Sequence, residues 1–115
     1  RHNVIRSSTL YHKRYTLVNR LSRMAVDVEV TEEELIVSLA DGRRLIVPLI
    51  WYPRLFYATR EERMNWRLLG GGYAIEWPDI DEHIGVDGLL AGRQSGESVE
   101  SLRRWLISRR VGVEV

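Results

Sequence analysis

The residues with the clearest capacity for chemistry lie in one short segment that contains Asp79, Asp81, Glu82 and His83. Carboxylates and imidazole are ligands for divalent cations, but no second histidine or ordered ligand loop accompanies them. We interpret the segment as a solvated acidic loop, which could also meet a basic protein. No Gly-x-Ser-x-Gly motif is present and His83 has no evident nucleophile partner. We therefore expect no catalytic residue, no metal and no cofactor, and a protein that is not an enzyme.

A second group of candidates is aromatic, since seven of the ten aromatic residues lie between Trp51 and Trp77. Aromatic and arginine side chains could stack bases or bind a partner peptide, or the tryptophans could build the core of a small domain. We expect Trp51, Trp66 and Trp77 to be mainly core residues and the tyrosines to be more exposed. The residues that we predict as candidate partner contacts are Tyr52, Arg54, Tyr57, Trp66, Asp79, Asp81 and Glu82.

The net charge of +1 conceals an uneven distribution. Residues 1–23 contain six basic residues and no acidic one, whereas residues 24–115 contain 11 basic and 16 acidic residues, a net charge of −5. A basic arm could bind nucleic acid, and an acid-free start is also typical of a transit peptide. We favour an N-terminal extension that is disordered or not native, because Met24 stands directly before the first patterned strand. In the nucleic-acid alternative, further contacts would come from Arg103, Arg104, Arg109 and Arg110.

The length of 115 residues supports a single domain with one core. We place this domain at residues 24–92, followed by a linker and C-terminal helix at 93–115. The absence of cysteine excludes disulfides and thiolate zinc sites and fits a reducing, cytoplasmic location. No apolar run approaches the roughly 20 residues that cross a bilayer, so we expect no membrane partner.

The hydrophobic pattern predicts three strands in the first half of the domain. Residues 25–30 alternate, which places Val26, Val28 and Val30 on one face. Residues 35–39 and 45–49 flank Ala40-Asp41-Gly42, a hairpin signal. A three-residue loop joins better apolar pairs than a two-residue loop, and it predicts a type I turn with Gly42 left-handed. The pairs that this register predicts are Val37 with Leu45 and Leu35 with Val47.

The second half predicts short helices and one further strand. Pro53 suits the first turn of a helix, and Thr59 with Glu62 forms a capping-box pattern that opens a helix over about 60–66. The triple glycine at 70–72 predicts a turn, and residues 73–77 alternate as a strand. We expect a turn or short helix at 86–90. Ser98 is expected to cap the last helix, whose apolar stripe would be Val99, Leu102, Trp105 and Leu106.

An ordered set of motifs runs from Val28 through Leu90: Leu35 to Arg43 with Asp41-Gly42, Val47-Pro48-Leu49, Trp51 to Leu55, Asn65-Trp66, the triple glycine, and Ile75 to Glu82. This combination resembles the bacterial domain-of-unknown-function family 2442. The resemblance implies a small α+β fold, in which an antiparallel sheet of a hairpin plus a further strand is packed by short helices. It implies no established activity.

Members of this family are similar to antitoxins, and they are often encoded beside a small protein of family 4160 that is proposed as the toxin. Some relatives carry a helix-turn-helix domain after this module, whereas the 23 residues after Gly92 have room for one helix at most. We therefore expect a protein-binding module with a small basic toxin as its partner. A nucleic-acid-binding regulator is the alternative.

Overall fold

Two three-stranded antiparallel sheets form the frame of the protein. The computed structural model describes residues 21–114, with side chains as far as Arg109, so residues 1–20 of the predicted extension lie outside it. The first sheet has the order β1-β2-β3 and the second the order β4-β5-β6. The strands are β1 (Ala25–Val30), β2 (Glu34–Leu39), β3 (Arg44–Pro48), β4 (Arg67–Leu69), β5 (Ala74–Trp77) and β6 (Glu82–Gly85).

Short helices connect and flank these sheets, so the predicted α+β class is confirmed. The 3₁₀ segments are Leu49–Trp51 and Pro78–Ile80, and the α-helices are α1 (Pro53–Phe56), α2 (Arg60–Met64), α3 (Val86–Leu90) and α4 (Val99–Glu114). Within residues 21–114, no helix combines the length and the apolar character needed to cross a membrane.

The β2–β3 hairpin has the predicted register, with Val37 opposite Leu45 and Leu35 opposite Val47. The Gly42 N–H donates to the Leu39 carbonyl, and Gly42 has a φ of 94°, as a three-residue loop with a left-handed glycine requires. This register buries Leu35, Val37 and Leu39 on the core face. Turn chemistry and apolar pairing therefore specify the same hairpin.

The prediction for β1 is wrong at Val26. The register shifts between Ala25 and Asp27, which is a β-bulge, and Val26 is 55% exposed while Ala25 and Val28 are buried. An extra residue in one strand reverses the alternation beyond it. Simple alternation from Val26 therefore places that side chain on the wrong face.

Local capping signals locate the helices well. Thr59 and Glu62 form both hydrogen bonds of the predicted capping box, although α2 ends at Met64, two residues earlier than expected. Pro53 opens α1 as predicted, and the Ser98 hydroxyl accepts from the Ser101 N–H at the start of α4. Val99 is 72% exposed, so its predicted place in the apolar stripe is wrong.

One continuous cluster of buried side chains joins both sheets to the short helices. Trp77 is fully buried and its indole N–H donates to the Arg63 carbonyl, while Trp51 and Trp66 pack against the cluster in half-buried positions. The expected core role of these tryptophans is thus met fully at Trp77 and in part at the other two. The strand β6 differs from the sequence prediction, which interprets the segment with Asp79, Asp81, Glu82 and His83 as a solvated acidic loop.

The two sheets meet through backbone at Gly72. The Ala25 N–H donates to the Gly72 carbonyl at 2.8 Å, and all three glycines of the predicted 70–72 turn have positive φ. A Cβ on Gly72 would collide with the Ala25 carbonyl oxygen and lie 2.9 Å from the Ala25 nitrogen. A Cβ on Gly71 would meet open space.

Gly72→Ala is therefore expected to destabilise the fold by at least about 2 kcal/mol, since it adds a backbone clash to left-handed strain. Gly71→Ala is the matched control and adds only the strain, about 1 kcal/mol. Urea unfolding followed by circular dichroism measures both. Equal loss of stability in the two variants would contradict a close approach of the sheets at Gly72.

Candidate functional site

An open cleft of about 380 Å³ lies between β6 and the segment 93–97 that leads to α4. Asp81 and all four residues of β6 line one side, and residues 93–97 line the other. Tyr52 and Arg54 also contribute to its lining. The cleft thus combines backbone from an edge strand with charged side chains of both signs.

Arg54 holds the segment 93–97 against the domain. Its Nε and Nη2 donate to the Glu97 carboxylate at 2.6–3.0 Å, and its Nη1 donates to the Ile80 carbonyl at 3.0 Å. The two side chains are only 16% and 13% exposed. Because guanidinium and carboxylate meet through a planar fork away from bulk water, their attraction is less screened and their geometry more specific than in a surface ion pair.

The same guanidinium positions α4. The Arg54 Cζ lies 5.2 Å from the centre of the Trp105 ring, and the Arg109 Cζ lies 4.5 Å from it. Arg109 also donates through both Nη atoms to the Glu62 carboxylate at 2.8 and 3.0 Å. The Arg54–Trp105 contact therefore joins α4 to α1, and the Arg109–Glu62 ion pair joins α4 to α2, while the Arg109–Trp105 contact lies within α4.

These ion pairs lower the pKa of the carboxyl groups that form them. Hydrogen bonds from Arg54 hold the pKa of Glu97 below its ordinary value, and those from Arg109 lower the pKa of Glu62. Glu82 behaves in the opposite way, because burial raises its pKa and the hydrogen bond from the His83 N–H compensates only in part. The carboxylates of Glu97 and Asp81 raise the pKa of Glu82 further.

Four of the seven predicted partner contacts meet in the cleft: Tyr52, Arg54, Asp81 and Glu82. Tyr52 is 5% exposed and its hydroxyl donates to the Arg93 carbonyl at 2.7 Å, so the expectation of an open tyrosine is wrong at this position. Burial raises the pKa of that hydroxyl. Asp81 has a left-handed backbone with φ of 52° and a fully exposed carboxylate, 4.0 Å from Arg54 Nη1.

The other three predicted contacts lie away from the cleft. Tyr57 is 50% exposed and packs edge-on against Phe56, with 5.2 Å between ring centres. Trp66 is half-buried beside another depression, and Asp79 is exposed and accepts from the Asn65 amide at 2.9 Å. The predicted aromatic and acidic residues therefore do not form one surface.

The predicted nucleic-acid contacts on α4 differ from one another. Arg103 and Arg104 are exposed, whereas Arg109 is held by Glu62 and Trp105. The side chain of Arg110 lies outside the described residues. The three described arginines of this set therefore do not form one free basic face, because Arg109 is already bound within the chain.

Sequence reasoning missed β6, Arg93 and Glu97 as parts of the cleft. A signal for the strand was available, because the apolar residues Ile84 and Val86 stand two positions apart, as on one face of a strand, and both are buried. Nothing local indicates that Glu97 meets Arg54, because 43 residues separate them.

Arg54→Lys is expected to loosen α4, since one ammonium cannot donate to Glu97 in a fork and also reach Ile80. Amide hydrogen exchange over residues 99–109 should speed up by about tenfold, with little change in β1–β3. Arg67→Lys is the control. Arg67 also contacts a glutamate, Glu76, through two nitrogens, but its side chain is 65% exposed, so loss of this pair should have little effect. Comparable loosening of α4 in both variants would contradict the role assigned to Arg54.

The opposite pKa shifts predict opposite effects of two amide substitutions. Glu97→Gln should lower stability by about 2 kcal/mol at neutral pH. That difference should shrink as the pH falls through the lowered pKa of Glu97, where the wild-type carboxyl becomes protonated. Glu82→Gln should increase stability, and the gain should develop as the pH rises through the raised pKa of Glu82. Urea unfolding from pH 3 to pH 8 tests this, and effects of the same sign would contradict it.

The comparisons agree with this architecture. The family model described as Protein of unknown function (DUF2442) matches residues 25–95. A crystal structure of a protein of unknown function from Rhodospirillum rubrum ATCC 11170 has 24% identity and a TM-score of 0.56, covering 64% of this chain and 92% of that one. A solution NMR structure of an uncharacterised protein from Chromobacterium violaceum has 20% identity and a TM-score of 0.58, covering 82% and 86%.

At these identities, the two solved structures share the fold alone with this protein. No protein with a curated description matches the sequence. The family match covers more than half of the chain and includes both sheets, α1 to α3 and the start of the segment 93–97. This chain therefore belongs to the family of proteins of unknown function DUF2442.

Proposed function

We propose that this chain is a protein-binding module that recognises a small basic protein partner in the cytoplasm, in the manner of an antitoxin. The observation that carries the proposal is the cleft beside β6, where the exposed Asp81 and the half-buried Glu82 have no close cationic partner among residues 21–114. The proposal is for binding rather than catalysis. It agrees with the partners that the family resemblance implies.

Part of the positive charge of the domain is used in ion pairs within it. Arg54, Arg67 and Arg109 each form an ion pair of 2.6–2.8 Å with a glutamate of the same chain. Residues 24–115 carry five more acidic than basic residues, so carboxylates remain in excess after these pairs form. An acidic body of this kind attracts a basic partner and disfavours a polyanion.

The cleft contributes Asp81 and Glu82 to this excess. Asp81 lies at the outer limit of an ion pair with Arg54, whose hydrogen bonds go to Glu97 and Ile80. Within residues 21–114, Glu82 lies in no ion pair, and burial already disfavours its charge. Arg93 also lines the cleft, so the site offers two carboxylates and one guanidinium. A partner cation placed here would relieve the cost of keeping Glu82 ionised.

The nucleic-acid alternative stays a prediction with weaker support. Arg109 is neutralised by Glu62 within the chain, and residues 1–20 of the basic arm lie outside the described structure. Arg103 and Arg104 are exposed on α4. These two exposed arginines of α4 support the alternative less than the two cleft carboxylates support binding of a basic protein.

The test is co-expression of the full chain with the product of the adjacent gene. We expect the two proteins to co-purify, growth inhibition by the neighbour to be relieved, and the complex to weaken with added salt. The paired substitution Asp81→Asn with Glu82→Gln should weaken the complex by about tenfold or more. Asparagine is chosen at position 81 because it tolerates the left-handed backbone.

The matched control removes the same charge elsewhere. Glu32→Gln with Glu33→Gln changes two exposed glutamates between β1 and β2 and should alter affinity by no more than about threefold. Equal weakening by both pairs would show that net charge acts and the cleft does not. Absence of any complex, with no relief of growth inhibition, would contradict the proposed function itself.

A further inference from the structure

The strand β6 is the outer strand of the second sheet and pairs with β5 among the described residues. The register places Ile75 opposite Ile84 and Glu76 opposite His83. The same register extends to Val86, whose N–H donates to the Tyr73 carbonyl at 3.0 Å. In an antiparallel ladder the backbone groups of alternate residues point to opposite edges. Ile84 and Val86 therefore bond toward β5, whereas the N–H groups of His83 and Gly85 point to the free edge.

That free edge borders the cleft, because all four residues of β6 line it. The opposite wall is held in place by backbone and side-chain bonds. The Ser95 N–H donates to the Trp51 carbonyl at 3.0 Å, and Glu97 is bound by Arg54. The cleft is therefore a slot with one edge strand and one fixed wall, and it does not depend on an unsupported loop.

Glu82 occupies part of this edge. Its Oε1 accepts from the His83 N–H at 3.2 Å, which is a long hydrogen bond for a carboxylate. Gly85 has no side chain, and a Cβ built on it would meet nothing within 4 Å. The carboxylate therefore covers one donor of the edge loosely, while Gly85 lines the cleft and the face of the strand at this residue is uncovered.

We infer that the cleft binds an extended segment of the basic partner by strand addition to β6, with a lysine or arginine of that segment at Asp81 and Glu82. This inference rests on the proposed function and specifies how recognition occurs. Main-chain hydrogen bonds to His83 and Gly85 supply affinity without regard to sequence, and the two carboxylates select for positive charge. Binding releases the Glu82 carboxylate from the His83 N–H and gives it a cation instead.

Gly85 provides a direct test, because its φ of −82° and ψ of 141° are accessible to proline. Gly85→Pro removes the N–H that faces the cleft and leaves the bonds of Ile84 and Val86 to β5. Gly85→Ala is the matched control, since it retains the N–H and its methyl group points into open space. We expect Gly85→Pro to reduce partner affinity by at least about tenfold and Gly85→Ala by less than about threefold.

One measurement separates a binding defect from a folding defect, and a second tests the binding mechanism directly. Urea unfolding of both variants should show that Gly85→Pro remains folded under the binding conditions. Peptide titrations of the wild-type full chain then test the mechanism without the partner. The probe is an acetylated and amidated hexapeptide of alternating valine and lysine, and its two controls are the same peptide N-methylated at every backbone nitrogen and an alternating valine–glutamate hexapeptide.

In ¹H–¹⁵N spectra, the valine–lysine peptide should shift the amide signals of His83 and Gly85 and slow hydrogen exchange at Gly85. The N-methylated and glutamate peptides should bind at least about tenfold more weakly. Equal binding by the N-methylated peptide, or shifts at the β3 edge instead, would overturn strand addition at β6. So would equal partner affinity of folded Gly85→Pro and Gly85→Ala, whereas the proposed function would stand as long as the partner still binds.

Discussion

The arrangement of the cleft and of the C-terminal helix depends on the ion pair between Arg54 and Glu97. One guanidinium bonds the Glu97 carboxylate in a fork, bonds the Ile80 carbonyl before β6, and lies against Trp105. These contacts join α1, the segment 93–97, the turn into β6 and α4. Since both side chains are mostly shielded from water, removing either partner would leave an uncompensated charge, which is more costly than the pair itself is stabilising.

This pair also determines which charges remain for recognition. Because the Arg54 charge is neutralised by Glu97, it compensates Asp81 only from 4.0 Å and does not bond Glu82. Hydrogen bonds from Arg54 lower the pKa of Glu97, whereas burial raises the pKa of Glu82. The fold thus treats the two glutamates differently. Glu97 is ion-paired and structural, whereas the charged form of Glu82 is disfavoured by burial, and a partner cation can offset that cost.

Features encoded by neighbouring residues were predictable, and features that depend on distant contacts were not. The hairpin register follows from Asp41-Gly42 and its flanking apolar pattern, and the α2 cap follows from Thr59 and Glu62. The acidic residues of the cleft could be identified by type, but their grouping with Arg93 requires a contact across 41 residues, from Tyr52 to the Arg93 carbonyl. Burial of Tyr52 and the bulge at Val26 likewise depend on tertiary packing, which overrides local pattern.

An exposed strand edge can bind a partner, but it can also pair with other copies of the protein and cause aggregation. The strand β6 has features that limit this self-association. It is only four residues long, it is entered through the left-handed turn at Asp81, and its first free donor is covered by a carboxylate. Short edges and charged residues on the edge are the usual protections against self-association. A second copy of this chain would bring its own Asp81 and Glu82 to the edge and be repelled. A basic segment would instead replace the weak internal bond of Glu82 with an ion pair, so the same carboxylate opposes self-pairing and favours the partner.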